Sequence, residues 1–268
     1  MIPFLHLGPL PIATFGLMLG LGLVVAAYIL QADFNRRGIH CDASLILLIA
    51  GPAGVVGARL YHVLESPAEF FANPWPFIFS RFGFAWFGGF LGGFTALLIL
   101  ARREKIPTLT FLDACSPAAC VGYAIGRIGC LLSGDGDYGI PTKLPWGMSF
   151  PNGVEPTTLK CVEQGWPADC RVHPTPLYEF FVWVFLAYVL WRIGASVLQK
   201  KKPDGLVFCG YLVFTGIARF LVEIVRINPR SFFGMSNAQA ASAASVLLGI
   251  ALFFFVVRKP VAAPAAAK

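Results

Sequence analysis

The sequence predicts an all-α integral membrane protein: a bundle of about seven transmembrane helices carrying one polar insertion, N-terminus out and C-terminus in. Three observations carry this expectation. Hydrophobic residues make up 57% of the 268 and charged residues only 13%, about half the charge of an ordinary soluble domain. The 25 phenylalanines and 28 glycines suit lipid, where bulky apolar side chains are solvated and glycine is commoner than in soluble helices. Long apolar runs alternate with short basic segments, so the net charge of +7 orients the chain and gives no reason to expect nucleic acid as a partner.

A helix needs about 20 residues to cross the hydrocarbon core, and open strands cannot cross because their backbone groups would go unpaired. The spans expected in order are Ile12–Leu30, 43–65, Phe82–Ala101, 110–132, 177–198, 206–227 and Ser231–Val257. Arg36, Arg37, Arg102, Arg103, Lys105, Arg192, Lys200, Lys201, Lys202, Arg258, Lys259 and Lys268 fall on one side of this arrangement. Arg81, Lys143, Lys160, Arg171 and Arg230 fall on the other. The richer side is expected to be cytoplasmic. With no Lys or Arg before residue 36, the first helix lacks a basic n-region and is expected to be retained.

The chain reads as a single membrane domain, 1–268, with a periplasmic insertion at 133–175 between the fourth and fifth helices and a disordered Ala/Pro tail at 260–268. Cys161 and Cys170 lie nine residues apart in the insertion, where an oxidising compartment would allow either a disulfide or two free thiols. Cys41, Cys115, Cys120, Cys130 and Cys209 lack metal-ligand spacing and read as small buried apolar residues.

Four arginines, Arg59, Arg127, Arg219 and Arg226, lie within apolar stretches. Each costs a few kcal/mol to insert at mid-membrane, so such residues face a bundle interior and mark a site. Arg219, Glu223 and Arg226 are spaced to share one helix face. Either the set locks helix register, or its surplus positive charge holds an anion, phosphate being the natural partner of guanidinium. Arg127 sits in a glycine-dense run, Gly126 to Gly139, at a similar expected depth, so the expectation is a cationic pocket opening toward the outer leaflet. Asp135, Asp137 and His173 are acid/base candidates there or ordinary loop carboxylates and a helix-entry residue. Glu179 reads as a favourable charge at a helix start.

Taken together, these motifs resemble the bacterial prolipoprotein diacylglyceryl transferases. The resemblance rests on Gly57-Ala58-Arg59, Gly88-Gly89-Phe90-Leu91-Gly92-Gly93, Gly126-Arg127-Ile128-Gly129, Pro141-Thr142 and Leu144-Pro145-Trp146-Gly147. It continues through His173-Pro174, Leu177-Tyr178-Glu179, the stretch from Arg219 to Arg226, and Met235 with Gln239. It implies transfer of the diacylglyceryl group of phosphatidylglycerol to the lipobox cysteine of prolipoproteins, without metal or cofactor, in the bacterial inner membrane. The implied partners are phosphatidylglycerol, prolipoprotein signal peptides and membrane lipid. The candidate catalytic residues are Arg127, Arg219, Asp135 and His173. The candidate substrate-binding residues are Arg59, Gly88, Gly89, Gly126, Gly129, Cys130, Gly139, Tyr178, Glu223 and Arg226. Four positions depart from the family pattern: Phe87 replaces a His, Cys130 an Asn, Asp135 a Glu and Phe15 a Tyr. Phosphate handling is thus retained and proton handling altered, leaving an active transferase or a lipid-binding pseudoenzyme, with a small-solute transporter a distant third.

Overall fold

The computed structural model describes residues 1–8, 10–75, 85–231 and 233–258. The expected tail at 260–268 and Phe82–Phe84 of the expected third span lie outside them. A short antiparallel hairpin, β1 (Phe4–Leu7) and β2 (Leu10–Ala13), precedes the helices. The helices are α1 (Thr14–Arg37), α2 (Ala43–Glu65), α3 (Pro67–Ala72), α4 (Trp86–Arg103), α5 (Thr108–Ser133), α6 (Thr157–Glu163), α7 (Thr175–Gln199), α8 (Leu206–Val222) and α9 (Asn237–Val257).

Among the described residues, six helices are long and apolar enough to cross a membrane: α1, α2, α5, α7, α9, and α8 with the 3-10 turn Glu223–Val225 that extends it. Helix α4 is the expected span that falls short, because four glycines and two terminal arginines dilute its 18 residues. Helix α1 runs seven residues past the expected Leu30, to Arg37, and two other boundaries differ from expectation for local reasons. Residues 12 and 13 pair in the hairpin, and the Thr14 hydroxyl donates to the Ile2 carbonyl as α1 begins. The last helix starts at Asn237 rather than Ser231, because Ser236 and Gln239 form a reciprocal capping box, which satisfies two otherwise orphaned amides.

The chain forms two compact units, Leu30–Phe111 and Met1–Ile29 with Leu112–Lys268. In the first, α2 and α4 pack backbone against backbone. A Cβ on Gly88 would strike the Gly57 carbonyl and the Tyr61 Cβ, and one on Gly92 would strike the Ala53 carbonyl. Small residues are what allow such close approach in lipid, where no hydrophobic force drives helices together. The turn from α1 into α2 is held by Gln31, whose Oε1 accepts from the Ala43 amide at 2.8 Å, and by Asp42, which caps α2.

In the second unit, the core joins α5, α7 and α8 through Cys120, Ala124, Trp183, Ala187, Leu190 and Val207. Asp113, fully buried on α5, accepts from the amides of Gly205 and Phe208, each at 2.8 Å. A carboxylate there satisfies orphan donors at the α8 start and meets the positive end of its dipole. Helix α9 packs on α8 at Gly216, where a Cβ would lie 2.9 Å from the Ser242 carbonyl. Large apolar side chains such as Phe181, Phe185, Leu221, Leu247 and Phe254 face outward, as a lipid solvent favours.

The insertion after α5 has its own small core of Tyr138, Phe150, Cys161, Cys170 and Val172. Cys161 and Cys170 form a disulfide. Val172 bridges to Pro141 and Met148, and Gly139 bridges to Arg226, so the insertion is stitched to the segment following α8.

Candidate active site

Helical spacing places Tyr123, Arg127 and Cys130 of α5 on one face, at i, i+4 and i+7. Glu179 enters from the second turn of α7, Arg219 from the end of α8, Glu223 from the 3-10 turn, and Arg226 from just beyond it. Asp135 and Asp137 follow α5 on a loop bent by Gly134 and Gly136, both at positive φ.

Glu179 is the hub. It is fully buried, and its Oε1 accepts from the Tyr123 hydroxyl and from Arg219 Nη1, both at 2.8 Å. Its Oε2 lies 3.2 Å from Arg127 Nε and 3.5 Å from Arg226 Nη1. A carboxylate removed from water costs several kcal/mol unless paired, and here three guanidinium groups converge on it. The Arg127 guanidinium also lies over the Tyr123 ring, 4.6 Å from its centroid, and Trp183 packs on that ring.

Glu223, also fully buried, pairs with Arg219 Nη2 at 3.0 Å and accepts from Asn228 Nδ2 and the Ser236 hydroxyl. Since Ser236 caps α9, Glu223 ties the end of α8 to the start of the last helix. Asp137 closes the set: one carboxylate oxygen takes Arg127 Nη1 and the other Arg226 Nη2. The ion-paired set therefore holds three guanidinium groups and three carboxylates, with Asp135 adjoining it beside Asp137 and Cys130. The expected surplus of positive charge does not survive this count, because Glu179 and Asp137 join the pocket.

The two loop carboxylates are driven apart. Burial, and then the neighbouring charge of Asp137, raise the Asp135 pKa above the ordinary carboxylate range. Burial alone would do the same to Asp137, but Arg127 and Arg226 outweigh it and hold that group at about 2. The two neighbours are thus pushed in opposite directions: the arginines favour the anion of Asp137, and burial favours the protonated form of Asp135 relative to an ordinary aspartate. The Cys130 thiol lies close to both, 3.6 Å from Asp137 Oδ2, and is 3.7 Å from Arg127 Nη1. Cys130, Asp135 and Asp137 bring their polar atoms within 4.8 Å of one another, but two guanidinium groups already occupy Asp137 and oppose a cation there.

A scan against family models matches residues 3–255 to the model described as prolipoprotein diacylglyceryl transferase. The chain belongs to this family. Among its relatives, a protein of Leifsonia xyli subsp. xyli is 37% identical over 267 residues, covering 94% of this chain and 76% of its own. One of Geobacter sulfurreducens is 32% identical over 268 residues, covering 96% of each, and one of Clostridium tetani is 29% identical over 247 residues, covering 91% and 93%. All three are named phosphatidylglycerol–prolipoprotein diacylglyceryl transferase.

Of the residues singled out in this transferase-family sequence, Arg127, Arg219, Arg226, Glu223, Asp135 and Cys130 meet in the cluster. His173 and Tyr178 stand beside it. The Tyr178 hydroxyl accepts from Trp146 Nε1 at 2.8 Å and lies 3.2 Å from His173 Nδ1. The His173 carbonyl accepts from the Gly139 amide at 2.8 Å. A Cβ on Gly139 would strike the Val225 carbonyl, so this glycine is what lets the insertion reach the backbone of Arg226. Gly129 packs against Phe15 and Met18 of α1, whereas a Cβ on Gly126 would meet open space. Arg59, Gly88 and Gly89 belong to the Leu30–Phe111 unit, where Gly88 serves helix packing.

The expectation missed Glu179 and Tyr123 and left Asp137 open. The signal for Glu179 was present: an acid at the start of an apolar run is as costly to bury as an arginine within one. A helix start also favours a carboxylate, which masks that signal. Tyr123 is marked only by lying one turn before Arg127.

Proposed function

We propose that the chain transfers the diacylglyceryl group of phosphatidylglycerol to the cysteine thiol of a prolipoprotein lipobox, releasing glycerol 1-phosphate. The observation that carries this is the convergence of Arg127, Arg219 and Arg226 on the buried Glu179 in a chain of this family. Planar guanidinium groups held by buried carboxylates are fixed before the reaction begins, which is how charge developing in a transition state is stabilised without reorganisation. The acceptor sulfur attacks the glyceryl carbon, the bond from that carbon to the phosphate oxygen breaks, and its electron pair leaves with glycerol 1-phosphate. Asp135 accepts the thiol proton, and Phe87 takes no part in proton transfer.

Complementation of a bacterium depleted of its own transferase tests this reading, with lipidation of a reporter precursor as the readout. Rescue is expected; correct membrane insertion without lipidation would instead establish a lipid-binding pseudoenzyme.

The expected arrangement is seven spans in the bacterial inner membrane, with α4 as the seventh, the N-terminus and the 133–175 insertion outside, and the C-terminus inside. Its support is the bias of Lys and Arg toward one set of loops. A reporter active only in the cytoplasm should work when fused after Lys268, and activity of a periplasm-only reporter at that position would reverse the orientation. The signal peptide of the precursor is the second partner, delivering its thiol at the Asp135 loop.

If Asp135 is the base, Asp135→Asn lowers transfer at neutral pH by at least about tenfold while phosphatidylglycerol still binds. The raised pKa fixes the sign of the pH dependence: the wild-type rate falls on the acid side as Asp135 takes up its proton, at a pH above that of an ordinary aspartate. The variant recovers partly as pH rises toward the thiol pKa of about 8.5. An unchanged neutral-pH rate, or loss of lipid binding, removes Asp135 from this role.

A further inference from the structure

Glu179 and Glu223 are fully enclosed, but the Asp137 side chain keeps 31% of its surface exposed. It is also the one carboxylate of the three carried by a loop rather than by a helix or its terminal turn. Its main chain is held, the carbonyl accepting from the Thr175 hydroxyl at 2.5 Å, so the carboxylate is able to turn away without moving the backbone. Its two oxygens are divided between Arg127 and Arg226, the arrangement that two oxygens of a phosphate would adopt on the same donors.

The charge count points the same way. With Asp137 turned aside, the three ion-paired guanidinium groups face two ion-paired carboxylates, Glu179 and Glu223, a surplus of one positive charge within that set. A phosphodiester carries one negative charge and would restore neutrality. Resting on the transfer reading above, we propose that Asp137 is an internal substitute for the phosphodiester, holding Arg127 and Arg226 until the lipid phosphate displaces it and returning to displace the phosphate-bearing product.

This return matters because transfer converts a diester into a monoester able to carry a second negative charge. The surplus positive site attracts that product more strongly than the substrate, and release would otherwise be slow. A tethered carboxylate competes at an effective concentration in the millimolar range or above. Asp137 thus weakens substrate binding and speeds turnover.

Calorimetric binding of glycerol 1-phosphate and of inorganic phosphate to the full-length detergent-solubilised protein, wild type and Asp137→Asn, tests the proposal. Steady-state transfer from phosphatidylglycerol in mixed micelles is measured alongside. The variant is expected to bind glycerol 1-phosphate at least about tenfold more tightly, with a lower KM for phosphatidylglycerol and a lower kcat, as removal of a competing charge at a two-guanidinium site demands. Asp137→Glu, which keeps the charge, should restore release. Unchanged or weaker binding of glycerol 1-phosphate, or a raised KM, would overturn the proposal and leave Asp137 an organiser of the arginines. Tightening for inorganic phosphate alone would overturn the assignment to a lipid phosphodiester. Should Asp137→Asn fail to fold, Asp137→Ser removes the same charge and is read in the same way. Absence of transfer by the wild type together with tighter anion binding by the variant would sink the transferase reading and not the displacement. Active transfer with unchanged anion affinity would do the reverse.

Discussion

Glu179→Gln is expected to abolish transfer, by at least about a hundredfold, and to lower stability by about 3–5 kcal/mol, the range for removing one partner of a buried ion pair. The reason is the number of groups that depend on this side chain. Arg127, Arg219 and Arg226 all lie within ion-pair distance of it, and the Tyr123 hydroxyl donates to it. An amide keeps the shape but presents donors where acceptors are needed and removes the charge, leaving guanidinium groups uncompensated inside the protein. The measurement is thermal unfolding in detergent beside a lipidation assay at matched protein levels. Tyr123→Phe is the milder companion, losing one hydrogen bond to a charged group, about 1.5–3 kcal/mol, without changing the charge. A Glu179→Gln protein as stable and as active as the wild type would mean that the three arginines are held by other means.

Arg127→Lys and Arg219→Lys are each expected to lower transfer by at least about a hundredfold while the protein still inserts and folds. Each guanidinium works in two directions at once. Arg127 reaches Glu179 through Nε and Asp137 through Nη1, and Arg219 reaches Glu179 through Nη1 and Glu223 through Nη2. A lysine ammonium is a single point that cannot span two carboxylates and retain a planar face for phosphate oxygens. Near-normal lipidation by both variants would refute the role given to the fork.

The helices and the arginines were legible in the sequence because lipid imposes strong rules. Charge-free runs of about twenty residues have few alternatives, and a guanidinium within one is expensive enough to require a function. What was not legible depended on contacts between residues distant along the chain. Glu179 and Arg127 are 52 positions apart, and nothing local marks them as partners. Asp137 looked like any loop carboxylate until the Gly139 bridge to Arg226 brought the loop onto the cluster. The capping box that delays α9 was readable as Ser236-Asn237-Ala238-Gln239, but the apolar run around it masked the signal. The helix stripe Arg219-Glu223-Arg226 carries a surplus of positive charge by itself, and Glu179 and Asp137, distant along the chain, balance it within the ion-paired set.

The disulfide in the insertion has a bearing on the chemistry it supports. An acceptor that arrives as a reactive thiol is also a reagent for opening disulfides, since thiolate attack on a sulfur–sulfur bond needs only access. Cys161 is fully buried and Cys170 nearly so, beneath Tyr138, Phe150 and Val172. From Cys170 the chain runs through Val172 and His173 to the Gly139 amide and so to the backbone of Arg226. Packing around the two sulfurs therefore does more than stabilise a loop. It shields the enzyme from its own substrate, keeping a nucleophile intended for a lipid carbon from unfastening the segment that holds Arg226.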